Sequence, residues 1–459
     1  MKRFWLILLS LGLVMAFSAS AWAVDVKFSG SFYAAGLYQD RTTFRKDSGT
    51  DGPSTAFYYQ RLRVKTDFIV SPGLSLVTRF DALERSWGAA RATANLGSAT
   101  AATDPLSSGT TAENENIAFD LAYIQYVSPI GMFLVGIQDD GAWGTVFADS
   151  TSPLGRITYI GQFGPFTALG YIGKFKEQSY SAKNPLQTAA DRDIDQYVIA
   201  GIYSWKDGSV GLLGKWIRSA LPRAAAYGQF EQSVYFLVPY IKAKIGPVFV
   251  QAELVYGFGD YQKYDTGAGG TDVKLENLAG WVDATVDLGI VYFGASVAYV
   301  AGDNKDTLDK KEGGFITGGA DWNPCLILFN YDRYYWVGKT PGWDGTANNN
   351  NGDNPYLASN DGGMTNALFL QGRVGVRPIA PLDIMASLSW ATVDKKPTGI
   401  LNANYGAEVD ITATYKITNN LSYMLGVGYL FVGDYFRGMS NDQQIRDNYL
   451  VINKLTLTF

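Results

Sequence analysis

The feature that most constrains the fold is a period-two alternation of apolar and polar residues. Apolar or small side chains alternate with polar ones from Ala403 to Ile417, and the same period recurs over residues 248–258 and 368–376. Successive side chains of a β-strand point to opposite faces of a sheet, so each stretch has one oily face and one wet face. No comparable stretch with a 3.6-residue period stands out. The pattern predicts an all-β chain.

The connections between these stretches fall into two sizes. Nine short turns, of which Asn323-Pro324 is one, alternate with longer polar loops along almost the whole chain. If both termini lie on the short-turn side, the strand number is 2 × 9 + 2 = 20, and uncertain boundaries widen this to about 16–20. Lipid cannot hydrogen-bond an open strand edge, so a sheet with an oily outer face must close. We therefore predict a transmembrane, antiparallel, up-and-down β-barrel.

The N-terminus has the three parts of a secretory signal peptide. Lys2 and Arg3 are followed by a mostly apolar run over residues 4–17 and by the small-residue ending Ala21-Trp22-Ala23. The run is too short to cross a bilayer, and no second long apolar run follows it. We expect residues 1–23 to be removed on export and residues 24–459 to form one barrel domain.

The composition excludes several classes of function. The chain has no histidine, which removes imidazole metal ligands, Ser-His and Cys-His nucleophile pairs and haem-attachment sequences. Loss of Lys2 and Arg3 changes the formal net charge from −5 to −5 − 2 = −7, a balance that argues against nucleic-acid binding. We expect no enzymatic activity, no cofactor and no metal.

Two further features favour structural interpretations. Cys325 is the one cysteine and precedes the apolar run 326–329, which we interpret as the start of a strand with the cysteine in a packing role. The stretch 343–354 is rich in oxygen ligands, but its spacing does not follow an EF-hand, so a solvated loop is favoured over a calcium site.

The C-terminus carries the sharpest motif. Leu455, Leu457 and the terminal Phe459 alternate with polar residues. This ending resembles the signal that barrels of the Gram-negative outer membrane present to their assembly machinery. With the signal peptide and the alternating loop lengths, the chain resembles the bacterial outer-membrane porins.

The resemblance implies a water-filled channel in the outer membrane for passive diffusion of ions and small hydrophilic solutes. General porins are trimers, so it also implies a homotrimer. The small residues Gly294, Ala295, Ala298 and Ala301 form a candidate interface on the barrel wall.

Charged residues on the polar strand faces are the candidate pore lining. In general porins the loop after the fifth strand folds inward; here that loop spans roughly residues 139–153, and its carboxylates would face a basic wall. An alternative is that the bases pair with Asp67, Asp81, Glu253 or Glu408 and only satisfy a wet interior. The candidates are Arg61, Arg63, Lys65, Arg79, Asp139, Asp140, Asp149, Arg373 and Arg377.

Two other functions stay open at this point. The barrel could be a substrate-specific channel, for instance for carboxylates, sugars or hydrophobic compounds. It could also be a structural sheath that holds a periplasmic or extracellular partner such as a multihaem cytochrome.

Overall fold

The computed structural model of the chain describes residues 24–42, 44, 46, 54–88, 117–178, 192–223, 229–304, 306–337 and 363–459. Eighteen of the nineteen strands in these ranges form one closed antiparallel barrel, because β1 pairs with both β2 and β19. The predicted fold class is confirmed. The signal peptide and the stretch 343–354 lie outside the described residues.

The strands are β1 Asp25–Gln39, β2 Thr55–Ser71, β3 Leu74–Ser86, β4 Ile117–Ser128, β5 Gly131–Asp140, β6 Ser152–Phe163, β7 Phe166–Lys176, β8 Ile194–Trp205, β9 Gly208–Ser219, β10 Phe230–Ile245, β11 Val248–Tyr264, β12 Val273–Asp287, β13 Val291–Val300, β14 Lys310–Lys311, β15 Ala367–Ile379, β16 Leu382–Val393, β17 Asn404–Lys416, β18 Leu421–Val432 and β19 Asn448–Thr458.

The strand number falls inside the predicted range but below the counted value of 20. Eight of the nine predicted turns join consecutive barrel strands, which gives 2 × 8 + 2 = 18 strands. The ninth, Asn323-Pro324, lies in the connection between β13 and β15, which pair directly with each other. It was counted because Asn-Pro has turn chemistry, yet no strand flanks it.

The outer wall is apolar, as the alternation predicts. In β11, Leu254 and Tyr256 are exposed whereas Glu253 and Val255 are buried inside. Aromatic rings stack between neighbouring strands on the outer face, where Trp216 lies against Tyr197. An oily outer band with a polar interior is the pattern of a barrel that faces lipid.

The predicted alternation is wrong at Tyr405, because β17 contains a bulge there. Ala391 pairs with Gly406 and Thr392 with Asn404, so Tyr405 is an extra residue in the ladder. Gly406 adopts a φ of 121°, which the bulge needs and which side chains rarely allow. Tyr405 therefore turns inward and is buried on the same side of the wall as Glu408.

The four small residues predicted to form a trimer interface do not share one face of the wall. Ala298 is fully buried and Ala301 nearly so, and alternation along β13 puts Gly294 on the same inner face as Ala298. Of the four small residues, only Ala295 faces outward. They do not form a common lipid-facing patch.

The connection after β13 folds back into the barrel. We call residues 301–337 the inner segment; it contains β14 and the helix α1, Tyr331–Val337. In the described ranges, no helix is long and apolar enough to cross a membrane. The run 326–329 forms no strand, contrary to expectation, and Phe329 packs edge-on against Phe369 of β15.

Candidate functional site in the barrel interior

The inner segment crosses the lumen from one wall to the other. Near its start, Asn277 of β12 accepts the N–H of Ile316 at 2.7 Å. Near its end, Arg333 donates to Gln39 of β1 at 2.9 Å and Trp336 lies against Tyr59 of β2, with ring centroids 4.4 Å apart. The segment is thus fixed to opposite sides of the barrel.

Two carboxylates of β17 hold the middle of the inner segment. Glu408 is completely buried, and its two oxygens accept the backbone N–H groups of Ile327 and Leu328, each at 2.7 Å. Asp410 accepts the N–H of Leu326 at a longer 3.4 Å. Buried backbone donors need acceptors, and the two oxygens of Glu408 supply one to each of these N–H groups. Glu408 is therefore the central anchor of the segment.

A second element enters the lumen between β5 and β6. We call residues 141–151 the inner loop. Thr145 donates its backbone N–H and its hydroxyl to Glu253 of β11, both at 2.8 Å. Phe147 is fully buried against Trp322 of the inner segment. The predicted inward loop was placed over residues 139–153, but Asp139 and Asp140 belong to the wall as the last residues of β5.

The inner loop and the inner segment bind each other. Ala148 donates its N–H to the carbonyl of Gly318 at 2.7 Å, and Asp321 donates its N–H to the carbonyl of Asp149 at 3.0 Å. The Thr151 hydroxyl adds a bond to the Asp321 carboxylate at 2.7 Å. Because each element is also tied to the wall, the two together narrow the lumen.

A cavity of about 390 Å³ remains between these elements and the wall formed by β5 to β11. Its volume lies at the lower end of the range for small-molecule sites, about 300–1,000 Å³. Aromatic and aliphatic side chains provide most of its surface. Its charged lining consists of the bases Arg156 and Lys215 and the acids Asp139, Asp140, Asp149 and Glu253. The cavity is lined in part by Trp143, Tyr171, Phe236 and Phe315 together with Arg156, Lys215 and Gln196.

Lys215 of β9 is the distinctive charge in this cavity. It makes no hydrogen bond or ion pair with any residue that the structure describes. Arg156, by contrast, is paired with Asp140 at 3.0 Å and lies over the ring of Tyr171. An unpaired ammonium group in a narrow space attracts anions and repels cations.

Asp149 of the inner loop also lines the cavity. Burial raises its pKa to about 8, and the nearby Glu253 and Asp321 carboxylates act in the same direction. The N–H of Trp143, which it accepts at 2.8 Å, opposes that shift. Near neutral pH the Asp149 carboxyl group is therefore mostly protonated and does not neutralise the charge of Lys215.

The bases Arg61, Arg63 and Lys65 form a basic ladder along the inner face of β2, but each of them has an acidic partner. Arg63 forms a bidentate salt bridge with Asp81, in which both N···O distances are 2.7 Å. Arg61 approaches Glu84 at 3.4 Å and Lys65 approaches Asp67 at 3.1 Å. These pairs agree with the interpretation that the bases satisfy a wet interior.

Arg79 joins the ladder to the neighbouring strands. It binds Asp120 of β4 at 2.7 Å and Asp139 of β5 at 2.6 Å. Arg79 and Asp139, which were both predicted to line the pore, are therefore in direct contact. A contact pair has little separated charge, so at this point it weakens the electric field that acids facing a basic wall would set up across the pore. The effect of the ladder on selectivity stays a prediction.

The remaining predicted bases are paired as well. Arg373 binds Asp283 at 2.6 Å, and Arg377 binds Asp287 and Asp383 at 3.0 Å each. Glu253 and Glu408, the other suggested partners of the bases, instead hold the inner loop and the inner segment.

The C-terminal motif closes the barrel. Leu455, Leu457 and Phe459 are exposed on the outer face. The backbone of Phe459 exchanges two hydrogen bonds with Gly30 of β1, at 2.8 and 3.1 Å. Their side chains are on the outer surface, where another protein can contact them. Their role as an assembly signal stays a prediction.

Loosening the anchor should expose the single cysteine. Glu408→Ala leaves two buried backbone N–H groups without acceptors, at a cost of about 1–3 kcal/mol each. Cys325 is 3% exposed and lies directly before these residues. We expect its labelling by a maleimide to become at least about tenfold faster, which corresponds to about 1.4 kcal/mol.

The matched control is Glu253→Ala, which loosens the inner loop by the same kind of change. It should leave the labelling rate of Cys325 near that of the parent protein. Equal rates in the parent and Glu408→Ala would show that Glu408 does not hold the segment.

Ion selectivity should change with pH through Asp149. Because its raised pKa is about 8, increasing the pH from about 7 to about 9 adds a negative charge to the cavity. We expect anion permeability relative to cation permeability to fall over this interval, as measured by the reversal potential in a salt gradient. Asp149→Asn keeps an acceptor for Trp143 but cannot ionise, so the variant should show a clearly smaller pH dependence. An unchanged pH profile in the variant would exclude Asp149 as its origin.

Comparison with known proteins supports the fold. No family model and no curated protein matches the sequence. The outer membrane protein OpdK from Pseudomonas aeruginosa has a TM-score of 0.50 at 10% identity, covering 94% of this chain and 99% of its own. OpdQ from the same organism has a TM-score of 0.50 at 10% identity, covering 95% and 97%. The outer membrane channel DcaP of Acinetobacter baumannii has a TM-score of 0.45 at 11% identity, covering 96% and 99%. At these identities the two Pseudomonas proteins share the barrel fold with this chain.

Proposed function

We propose that the chain is an outer-membrane channel of a Gram-negative bacterium for passive, selective uptake of small hydrophilic solutes. The observation that carries this proposal is the interior: a closed barrel whose lumen is narrowed by two anchored elements and contains a cavity of about 390 Å³ beside them. A cavity of this size admits small molecules and gives the lining side chains direct contact with each of them.

Between the two channel functions, the narrowed lumen favours selectivity over general diffusion. A wide water-filled pore discriminates mainly by size, whereas close walls replace part of a solute's hydration. Lys215 provides an attraction for anionic groups, and the rings of Trp143 and Tyr171 provide flat apolar surface. We infer that the preferred solutes are small molecules that combine these two kinds of group.

The sheath function receives less support. A sheath has to leave room for a folded partner, but the described lumen is crossed by the inner segment, which is bound to β1, β12 and β17. The sequence has no histidine to form a Ser-His or Cys-His pair, and we propose no enzymatic activity for the barrel.

Location and assembly follow the same proposal. An exported barrel with an apolar outer wall belongs in the outer membrane, and its likeness to OpdK, an outer membrane protein, supports this. We propose removal of residues 1–23, insertion by the barrel-assembly machinery through Leu455, Leu457 and Phe459, and no association with nucleic acid. A homotrimer stays a proposal from the porin resemblance alone.

Planar-bilayer recordings test the function. The refolded mature protein should give small, reproducible conductance steps with a preference for anions near neutral pH. Aromatic carboxylates should block these steps in a saturable manner, whereas uncharged sugars of similar size should block them less. Large steps without solute block would indicate a general diffusion pore, and silent insertion would contradict an open channel.

A further inference from the structure

The anchor Glu408 belongs to a buried cluster of possible metal ligands that the proposed channel function does not involve. The sulfur of Cys325 and one carboxylate oxygen each from Glu408 and Asp410 lie within 4.8 Å of one another, and all three residues are buried. From this geometry we propose a binding site for a thiophilic divalent cation such as Zn²⁺ or Cd²⁺, which ties the inner segment to the barrel wall. The proposal does not rest on the channel function.

Charge is the first argument. Glu408 and Asp410 are on the same inner face of β17, and neither has an ion pair with a cation in the described part of the chain. Two neighbouring buried carboxylates need either a shared proton or a bound cation, because uncompensated charge is expensive away from water. The thiol beside them selects the kind of cation, since sulfur and oxygen donors together suit Zn²⁺.

Unused polar atoms are the second argument. Asp410 Oδ1 and the Ser387 hydroxyl are buried near each other, but neither makes a hydrogen bond of good geometry. Ser387 is 5% exposed and lies directly opposite Asp410 in the register of β16 and β17, so both side chains share the inner face. Buried polar atoms are rarely left unsatisfied, and a cation at this position would use Asp410 Oδ1 as a ligand.

Space is the third argument. Gly428 of β18 stands opposite Asp410, and a Cβ at this position would lie 2.7 Å from Asp410 Oδ1 and 3.3 Å from Glu408 Oε1. Glycine therefore avoids a clash with both carboxylates and with Leu326 Cβ, which would lie 3.1 Å away, and the space it leaves is smaller than a methyl group. Tetrahedral zinc with one sulfur and oxygen ligands spaces its donors about 3.6 Å apart, so the three atoms need only a small inward movement.

Glu408 can serve as both anchor and ligand. Each of its oxygens accepts one backbone N–H and retains a second lone pair. On binding, the cation replaces the Cys325 thiol proton and any proton shared by the two carboxyl groups, and these protons pass to water. No oxidation or reduction is involved.

Cadmium titration of the folded protein in detergent, after removal of metal by a chelator, tests the site. Because Cys325 is the one thiol in the chain, a sulfur-to-cadmium charge-transfer band in the ultraviolet reports on this residue alone. We expect one cadmium per chain, competition by Zn²⁺, and loss of both band and stoichiometric binding in Cys325→Ala. Asp410→Asn should weaken binding by at least about tenfold, a loss seen even for residues that merely support a metal ligand.

The controls separate this site from simple thiol binding. Asp207→Asn, which removes an exposed carboxylate in the turn between β8 and β9, should bind like the parent. Heat-modifiable gel migration identifies variants that have folded, and if Asp410→Asn has not, Gly428→Ala tests the same space. Equal affinity in the parent and the folded variants, or no band in the folded parent, would overturn the proposal and leave a shared proton between the carboxyl groups. Conductance of the chelated parent reports on the channel function independently.

Discussion

Replacing residues 304–364 by a short Gly-Ser linker is expected to raise the single-channel conductance severalfold. Val300 at the end of β13 pairs with Ala367 at the start of β15, so a short linker joins the two strands without strain. The replacement removes the part of the inner segment that crosses to β1 and β2, including Trp336. Because the conductance of a pore follows its narrowest section, the open lumen should carry more current.

The barrel itself should survive this replacement. Its eighteen strands keep all of their ladder hydrogen bonds, and heat-modifiable migration in detergent gels would show a folded barrel. The matched control replaces residues 338–362 alone by the same linker, which retains Arg333 and Trp336 with their partners Gln39 and Tyr59, and we expect it to change the conductance far less. Equal conductance in the parent and the longer replacement would show that the inner segment does not limit the pore.

The barrel was predictable because its signals are local. Alternation over ten or more residues records which face of a strand meets lipid, and turn residues mark where the chain reverses. The strand number was overestimated for the same reason, since Asn323-Pro324 has local turn chemistry inside a segment that forms no strand. The bulge at Tyr405 escaped prediction because its cause, the pairing with β16, lies elsewhere in the chain.

The interior was harder to predict, because its contacts are long-range. Glu408 was one polar residue among many on a wet strand face, and nothing near it in the sequence indicates that it binds Ile327 and Leu328. One signal was present: the run 326–329 is apolar although it lies within a long connection. A connection that carries buried-type residues is more consistent with a segment folded into the lumen than with an external loop.

For the charged residues, too, the orientation was predictable from the local sequence but the interaction partners were not. That Arg63 and Arg79 face the interior follows from the period of the strand, but their partners depend on which strands are neighbours. Lys215 was overlooked because it is one of only two bases, with Arg218, on the largely apolar strand Gly208–Ser219. Its importance comes from the lack of a partner, which no sequence pattern records.

Reversing this charge should have the largest effect on selectivity. Lys215→Glu replaces a positive charge by a negative one in the narrowed cavity, beside Asp149 and near the Asp140–Arg156 pair. A unit charge acts on an ion 4 Å away by about 4 kcal/mol at an effective dielectric constant of about 20. Hydration and screening reduce this, so we expect a change of roughly tenfold in the anion-to-cation permeability ratio, or about 1.4 kcal/mol, toward cations.

The reversal potential in a salt gradient measures this ratio. Lys215→Gln, which removes the charge without reversing it, should give an intermediate value, and block by aromatic carboxylates should weaken in both variants. The matched control is Lys206→Glu in the short turn between β8 and β9, where the same reversal occurs outside the cavity. If both reversals shift the potential equally, the selectivity comes from the overall charge of the protein and not from the cavity. If only Lys215→Glu does so, the one unpaired base of the cavity wall controls which ions pass.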